Sequence, residues 1–126
     1  MKELIIWLCA AILFGILEAL LFHSNKNINK KIPFDIHIIF GFVRLCLFIP
    51  LLIYSEERFI FAISSIFMFP FLHDGFYYLT RNILSGGKLY PKTFFDQSTT
   101  TTAKISLGAF YRIILFLFGA GMIFVL

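Results

Sequence analysis

The stretch from Phe69 to Arg81, FPFLHDGFYYLTR, places side chains with acid–base chemistry inside an apolar background. His73 and Asp74 are adjacent, and Arg81 follows Asp74 after about two helical turns. A histidine beside a carboxylate can accept and release protons near neutral pH, and an arginine binds anions through paired N–H groups. His73 and Asp74 are therefore the candidates for acid–base catalysis, although the sequence leaves open whether the protein is an enzyme.

Three further ionisable residues stand alone within apolar runs: Glu18, Arg44 and Arg112. An unpaired charge near the centre of a bilayer costs about 2.5–3.5 kcal/mol. Because Glu18 and Asp74 could neutralise two arginines, we expect Arg44 and Arg112 each to pair with one of these acids. The predicted ligand-binding group is Glu18, Arg44, His73, Asp74, Arg112 and Arg81, with His23, Asp35 and His37 at its mouth.

The overall composition indicates that this group lies in a membrane protein. Hydrophobic residues make up 60% of the 126 residues and charged residues only 14%, and the mean hydropathy is +0.89. A soluble domain is nearer half apolar and a quarter charged. Aromatic side chains that bind RNA must be exposed, whereas those of this chain lie inside apolar runs. We therefore expect the lipid bilayer, and no nucleic acid, as a partner.

Four apolar segments are each close to the ~20 residues that a helix needs to cross the hydrocarbon core. The predicted spans are residues 4–22, 35–54, 59–80 and 105–125. These runs lack the alternation of barrel strands, and a spanning segment must otherwise be helical. The predicted fold is an all-α integral membrane protein: a four-transmembrane-helix bundle forming one domain over residues 1–126, with the third helix kinked at Pro70.

The distribution of basic residues predicts the orientation of these spans. Seven lysines and arginines fall in the loops 23–34 and 81–104, whereas only Lys2 and Arg58 fall on the other side. Because cytoplasmic loops carry the excess of basic residues, both loops are expected on the cytoplasmic side of the inner (plasma) membrane. Both termini are then expected on its outer side. The ionisable residues within the spans then gather in the cytoplasmic half of the bilayer.

The function that this pattern favours is binding of an anionic ligand, such as a lipid headgroup, in an intramembrane polar pocket. A purely structural network of salt-bridged helices remains an alternative. His23, His37 and His73 are weak candidates for metal ligands, because no close spacing such as HExxH is present. The sequence identifies no cofactor. Glycines in the fourth span allow close helix packing, either within the bundle or in a homo-oligomer.

Two other membrane functions are also open. Four short spans with a lone Glu18 in the first resemble the small multidrug resistance transporters, a resemblance that covers span count and Glu18 only. It implies a proton- or cation-coupled small transporter. Those transporters have short loops and few buried charges, whereas this chain has the 24-residue loop 81–104 and two arginines in its spans. A membrane-disrupting phage-type protein such as a holin shares the size, but deep charges are unusual there.

Overall fold

The computed structural model describes residues 2–28, 36–86, 94–95 and 107–124; for residues 25–28 and 36–37 it describes the backbone alone. Four helices follow one another in these ranges: α1 (Lys2–Ile28), α2 (Ile36–Tyr54), α3 (Arg58–Leu84) and α4 (Ala109–Ile123). The described ranges contain no strand. The predicted all-helical class with four helices is therefore confirmed.

Two of these helices are long and apolar enough to cross a membrane, over Lys2–Ser24 and Arg58–Leu84. The apolar stretches of the other two, Ile38–Tyr54 and Ala109–Ile123, are shorter within the described residues. α3 continues to Leu84, beyond the predicted end of the third span, so Arg81 lies in its last turn rather than in a loop.

Proline residues lie inside two of the helices without ending them. Pro70 lies within α3 and Pro50 within α2. Each lacks the N–H group that would bond one turn back. The kink that Pro70 predicts in α3 stays a prediction, and Pro50 adds a second position of the same kind.

α1 and α3 run parallel to each other. Leu4 packs with Phe61 near the start of both helices. Near their ends, the Phe22 ring centre lies 4.1 Å from the guanidinium carbon of Arg81. Residues at similar distances from the two N-termini therefore lie side by side.

α2 packs mainly on α1 and much less on α3. The ring of Phe48 lies 5.1 Å from that of Trp7, and the ring of Phe40 lies 6.3 Å from that of Phe14. Sequence numbers thus rise along one helix and fall along the other, so α2 runs antiparallel to α1. A three-residue turn at 55–57 connects α2 to α3.

α4 packs on a different side of α3 from α1 and runs antiparallel to it. The rings of Phe67 and Phe118 lie 5.0 Å apart, and those of Phe71 and Phe116 lie 4.6 Å apart. The helices therefore lie in the order α2, α1, α3, α4, and their directions alternate along the chain. α3 is the central element, and both α1 and α2 contact it at the position of its histidine.

The backbones of α1 and α3 approach each other closely at Gly15. A Cβ atom built on Gly15 would lie 2.4 Å from the carbonyl oxygen of His73 and 3.2 Å from the backbone nitrogen of Tyr77. A residue without a side chain allows this approach. Since Glu18 follows three residues later on α1, the same contact brings its carboxylate against His73.

Large apolar side chains are exposed on all four helices. The most exposed examples on each helix include Ile5, Ile38, Phe59, Phe110 and Leu117. Water-soluble monomers rarely expose large contiguous apolar areas. The outer surface of the helices is thus suited to apolar surroundings, whereas the polar side chains described next are turned inward.

Candidate functional site

A cluster of four ionisable side chains lies where α1, α2 and α3 meet. Glu18 comes from α1, Arg44 from α2, and His73 with Asp74 from α3. The parallel course of α1 and α3 places Glu18 and His73 at one level, and antiparallel α2 returns Arg44 to the same level. We call these four residues the polar cluster.

Glu18 is the centre of the hydrogen bonding in the polar cluster. Arg44 donates from Nη2 to Oε2 of Glu18, and Nε2 of His73 lies 3.0 Å from the same oxygen. Nδ1 of His73 lies 2.9 Å from Oδ1 of Asp74. Glu18 is only 2% exposed and His73 8%, so these bonds form largely away from solvent and are correspondingly strong.

The Nε2 atom of His73 has two mutually exclusive partners. It lies 2.7 Å from the Arg44 Nη2 donor and 3.0 Å from the Glu18 acceptor. A neutral imidazole accepts a hydrogen bond from Arg44 at this atom, whereas an imidazolium donates from it to Glu18. In both forms Nδ1–H donates to Asp74. The polar cluster therefore offers one proton position whose occupancy changes the hydrogen bonds between three helices.

The charge of the polar cluster follows from these two forms. With both carboxylates ionised, Glu18 and Asp74 contribute two negative charges, and Arg44 contributes one positive charge. The total is neutral when His73 is protonated and −1 when it is not. Arg44 and a protonated His73 together would therefore balance the two acids.

Arg112 does not take part in this balance, so the expectation that it pairs with Glu18 or Asp74 is wrong. Arg112 is 1% exposed and donates to the carbonyl oxygens of Phe94 and Phe95, the shortest bond being 2.8 Å. Its guanidinium carbon also lies 5.5 Å from the Tyr78 ring centre. The physical reason is that α4 packs on α3 away from α1 and α2, which places Arg112 near backbone carbonyls.

Arg81 lies on the α1 side of α3, beyond the polar cluster. It is 3% exposed, and its Nη1 donates to the Tyr77 hydroxyl at 3.0 Å. Its guanidinium also lies over the Phe22 ring. Seven residues of helix separate it from Asp74, a rise of roughly 10 Å. Arg81 is therefore a neighbour of the polar cluster along the same groove between α1 and α3.

The residues predicted at the mouth of the site are only partly described. His23 is half-buried in α1, five residues after Glu18. Asp35 and the side chain of His37 lie outside the described residues. Within the described part of the chain, no three His, Cys, Asp or Glu side chains are grouped as metal ligands, so the structure adds no support to the weak metal hypothesis.

Aromatic rings surround Arg44, a feature that the sequence reasoning missed. Its guanidinium carbon lies 5.3–6.0 Å from the ring centres of Phe69, Phe40 and Phe14, distances that suit cation–π attraction. Phe69 also stacks on the His73 ring at 4.9 Å. A signal was present in the sequence: Phe14, Phe40 and Phe69 each precede a polar-cluster residue by four positions, one helical turn.

A cavity of about 450 Å³ adjoins Arg44 between α2 and α3. It is lined by Trp7, Gly41, Arg44, Leu45, Phe48, Ser65, Ile66 and Phe69. Trp7 is 6% exposed and packs against the rings of Phe48 and Phe69. Three buried polar atoms of the lining, Trp7 Nε1, Arg44 Nε and Ser65 Oγ, have no hydrogen-bond partner among the described residues.

No family model matches this chain, and no curated protein or solved structure is significantly similar to it.

Proposed function

We propose that this protein is a small polytopic membrane protein with four crossings of the inner membrane. The alternating helix directions, the exposed apolar side chains and the two helices of spanning length support this proposal. Because most loop lysines and arginines fall in 23–34 and 81–104, the proposed orientation places both loops in the cytoplasm and both termini outside. The polar cluster then lies in the cytoplasmic half of the bilayer.

The proposed function is binding of an anionic amphiphile, with its headgroup at Arg44. The observation that carries the proposal is that Arg44, half-buried among aromatic rings, lines a cavity while its Nε atom has no partner among the described residues. A guanidinium in apolar surroundings favours carboxylate and phosphate oxygens. His73 uses both ring nitrogens within the polar cluster, so binding is proposed here rather than catalysis by His73 and Asp74.

Anion binding at Arg44 should be coupled to proton uptake. With both carboxylates ionised, the polar cluster is at most neutral before the ligand binds, and an anion adds a negative charge in surroundings that disfavour it. A proton taken up on Glu18 or on Nε2 of His73 removes this charge. The affinity for the anion therefore increases as the pH falls, by up to about tenfold per pH unit for one proton taken up.

The test is a titration of the purified protein in non-ionic detergent with phosphatidylglycerol and, separately, phosphatidylcholine. Trp7, the single tryptophan of the chain, lines the cavity and reports binding by fluorescence. We expect the anionic lipid to bind about tenfold or more tightly than the zwitterionic one. Arg44→Gln should abolish this preference. Arg58→Gln, which removes an exposed arginine at the start of α3, should leave it unchanged.

Glu18→Gln provides an effect of the opposite sign. The substitution frees Arg44 from a competing carboxylate and removes one negative charge, so anionic lipid should bind more tightly and with a weaker pH dependence. Equal binding of both lipids by the native protein, or a preference that survives in Arg44→Gln, would show that the polar cluster serves only to tie the helices together.

A proton-coupled transporter is the second candidate, and the two-partner position of His73 Nε2 favours it. Protonation there exchanges a bond to α2 for a bond to α1, which is the kind of change that could couple a proton to helix movement. Uptake of a cationic dye into proteoliposomes with an imposed pH gradient tests this function. Uptake that is lost in Glu18→Gln supports it, and no uptake by the native protein rejects it.

A further inference from the structure

The cavity beside Arg44 exists because α2 and α3 separate after a short connection. The turn at 55–57 joins the two helices, yet α2 packs mainly against α1 rather than α3. The gap that results is lined on one side by α2, on the other by α3, and at its base by Trp7 of α1. Its outer edges include Leu45 and Ile66, which are 56% and 61% exposed. The cavity thus opens sideways, toward the apolar outer surface of the helices.

The chemistry of the cavity lining defines what fits in it. Most of the lining consists of aromatic and aliphatic side chains, which suit a hydrocarbon. Trp7 Nε1 and Arg44 Nε are hydrogen-bond donors and cannot accept, and the Ser65 hydroxyl can donate. All three atoms are buried without a partner among the described residues, which is a costly arrangement. Rotation of these side chains would let an acceptor oxygen in the cavity relieve it.

We propose that this cavity binds one hydrocarbon chain of an amphiphile, inserted sideways from the bilayer, with the oxygens of its head next to Arg44. Only the position of the headgroup rests on the proposed function. The binding site for the hydrocarbon chain is inferred from the lining of the cavity and from its opening at the side. In the proposed orientation the head lies in the cytoplasmic half and the chain extends from Arg44 toward Trp7 and the bilayer centre. An acyl lipid of the cytoplasmic leaflet is oriented in the same way, with its head toward the cytoplasm and its chain toward the bilayer centre.

The ligand chemistry, an alkyl chain attached to a carboxyl or ester oxygen, is shared by free fatty acids and bilayer phospholipids. Two arms of one experiment separate these sources, with quenching of Trp7 fluorescence by bromine atoms on the chain as the signal. In the first arm the protein is reconstituted in vesicles of phosphatidylglycerol with brominated chains. In the second arm a brominated fatty acid is added to the protein in unbrominated vesicles.

The cavity offers a filling variant with a matched control. A Cβ atom added at Gly41, which lines the cavity, or at Gly121 on α4 would meet no atom within 4 Å. Gly41→Leu places a side chain in the cavity, whereas Gly121→Leu adds the same side chain elsewhere. We expect Gly41→Leu to reduce quenching by at least about threefold, or to weaken fatty-acid binding about tenfold. Gly121→Leu should leave both values as in the native protein.

A second pair of variants covers the case in which Gly41→Leu does not fold. Leu45→Phe enlarges a side chain at the open edge of the cavity, and Leu117→Phe makes the same change at an exposed position of α4. The first should reduce quenching and the second should not.

Each outcome decides between the two proposals. Quenching only in the first arm identifies a bilayer lipid, and saturable quenching in the second identifies a free fatty acid. Quenching that Gly41→Leu and Leu45→Phe leave unchanged overturns the chain site, since it then comes from lipid around the protein; an Arg44-dependent preference for phosphatidylglycerol would still stand. Quenching that is lost in Gly41→Leu but accompanied by no headgroup preference keeps the chain site and rejects the proposed function.

Discussion

Arg44 and Arg112 are arginines in comparable sequence surroundings, each alone in an apolar helix, but they lie in different environments. On the side of α3 that faces α1 and α2, Arg44 bonds to a carboxylate and is surrounded by aromatic rings. On the side that faces α4, Arg112 bonds to the carbonyl oxygens of Phe94 and Phe95. The charge of Arg44 is compensated by a carboxylate, whereas the charge of Arg112 is compensated by the dipoles of backbone carbonyl groups.

The difference shows what each side of α3 is suited to do. The bonds of Arg112 involve groups whose charge does not change with pH, so that side is suited to holding Phe94 and Phe95 in place. The bonds of Arg44 involve Glu18 and His73, whose protonation can change. A ligand or a proton can therefore alter the polar cluster, which is why the proposed site lies there.

The largest effect is expected from removing one member of the part-buried ion pair between Arg44 and Glu18. Arg44→Met removes the arginine that is ion-paired with the buried Glu18 carboxylate, and breaking a buried pair costs about 3–5 kcal/mol of unfolding free energy. Met fills a similar volume with apolar atoms, so the loss reflects charge rather than packing. Thermal unfolding in detergent, followed by circular dichroism, measures it.

The double variant Glu18→Gln with Arg44→Met serves as the control. It removes the negative charge of Glu18 as well, so its loss of unfolding free energy should be smaller than that of Arg44→Met alone. If the single and double variants are equally destabilised, the ion pair contributes nothing and the distinction between the two arginines fails.

The equivalent change on the other side of α3 should cost less. Arg112→Met removes bonds to carbonyl oxygens but leaves no buried charge behind. Hydrogen bonds to charged groups are worth about 1.5–3 kcal/mol, which sets the expected loss. Phe94 should also be released, so that chymotrypsin cleaves after it faster than in the native protein. A loss as large as that of Arg44→Met, with cleavage unchanged, would contradict the proposed role of Arg112.

The sequence predicted four helices and the convergence of polar side chains, because both follow from properties that the residues carry locally. The length of an apolar run indicates a helix that could span a membrane, and the cost of an isolated charge indicates that a partner must be near. Glu18, Arg44, His73 and Asp74 are brought together as that cost requires.

The partner of each charge could not be predicted in the same way. Which arginine meets an acid depends on the order in which the helices pack, and no local property of the sequence contains that order. Arg112 was predicted to pair with an acidic residue because charges were counted over all four spans. In the structure, α4 touches neither α1 nor α2 appreciably.

Two glycine substitutions compare how the two sides of α3 are packed. A Cβ atom at Gly15 would meet the backbone of His73 and Tyr77, whereas the nearest atoms to a Cβ atom at Gly75 belong to the ring of Phe94, with its outermost atom 2.0 Å away. A backbone can move only if the whole helix shifts, but a ring can rotate away. Gly15→Ala should therefore cost about 1–2 kcal/mol of unfolding free energy, and Gly75→Ala should cost less.

The same two substitutions should also differ in their effect on lipid binding. Because Gly15 sets the distance between Glu18 and His73, Gly15→Ala should also weaken binding of the anionic lipid, and Gly75→Ala should not. Gly121→Ala, at a position where a Cβ atom meets nothing within 4 Å, is the control for adding a methyl group to a helix. If Gly75→Ala weakens lipid binding more than Gly15→Ala, the ligand lies on the α4 side of α3 and the binding site proposed at Arg44 is wrong.

Arg81 provides the smallest test, because it is a third arginine within the helices and its described hydrogen bond goes to a neutral hydroxyl. Tyr77→Phe removes this bond but keeps the ring that packs beside the guanidinium. Arg81 makes further interactions, so the loss should be near the ~1 kcal/mol of a single hydrogen bond. Tyr111→Phe, which changes an exposed tyrosine of α4, should have no measurable effect on thermal unfolding. A Tyr77→Phe loss comparable to that of Arg44→Met would mean that Arg81 belongs functionally to the polar cluster, since only the loss of a coupled network exceeds the value of one bond.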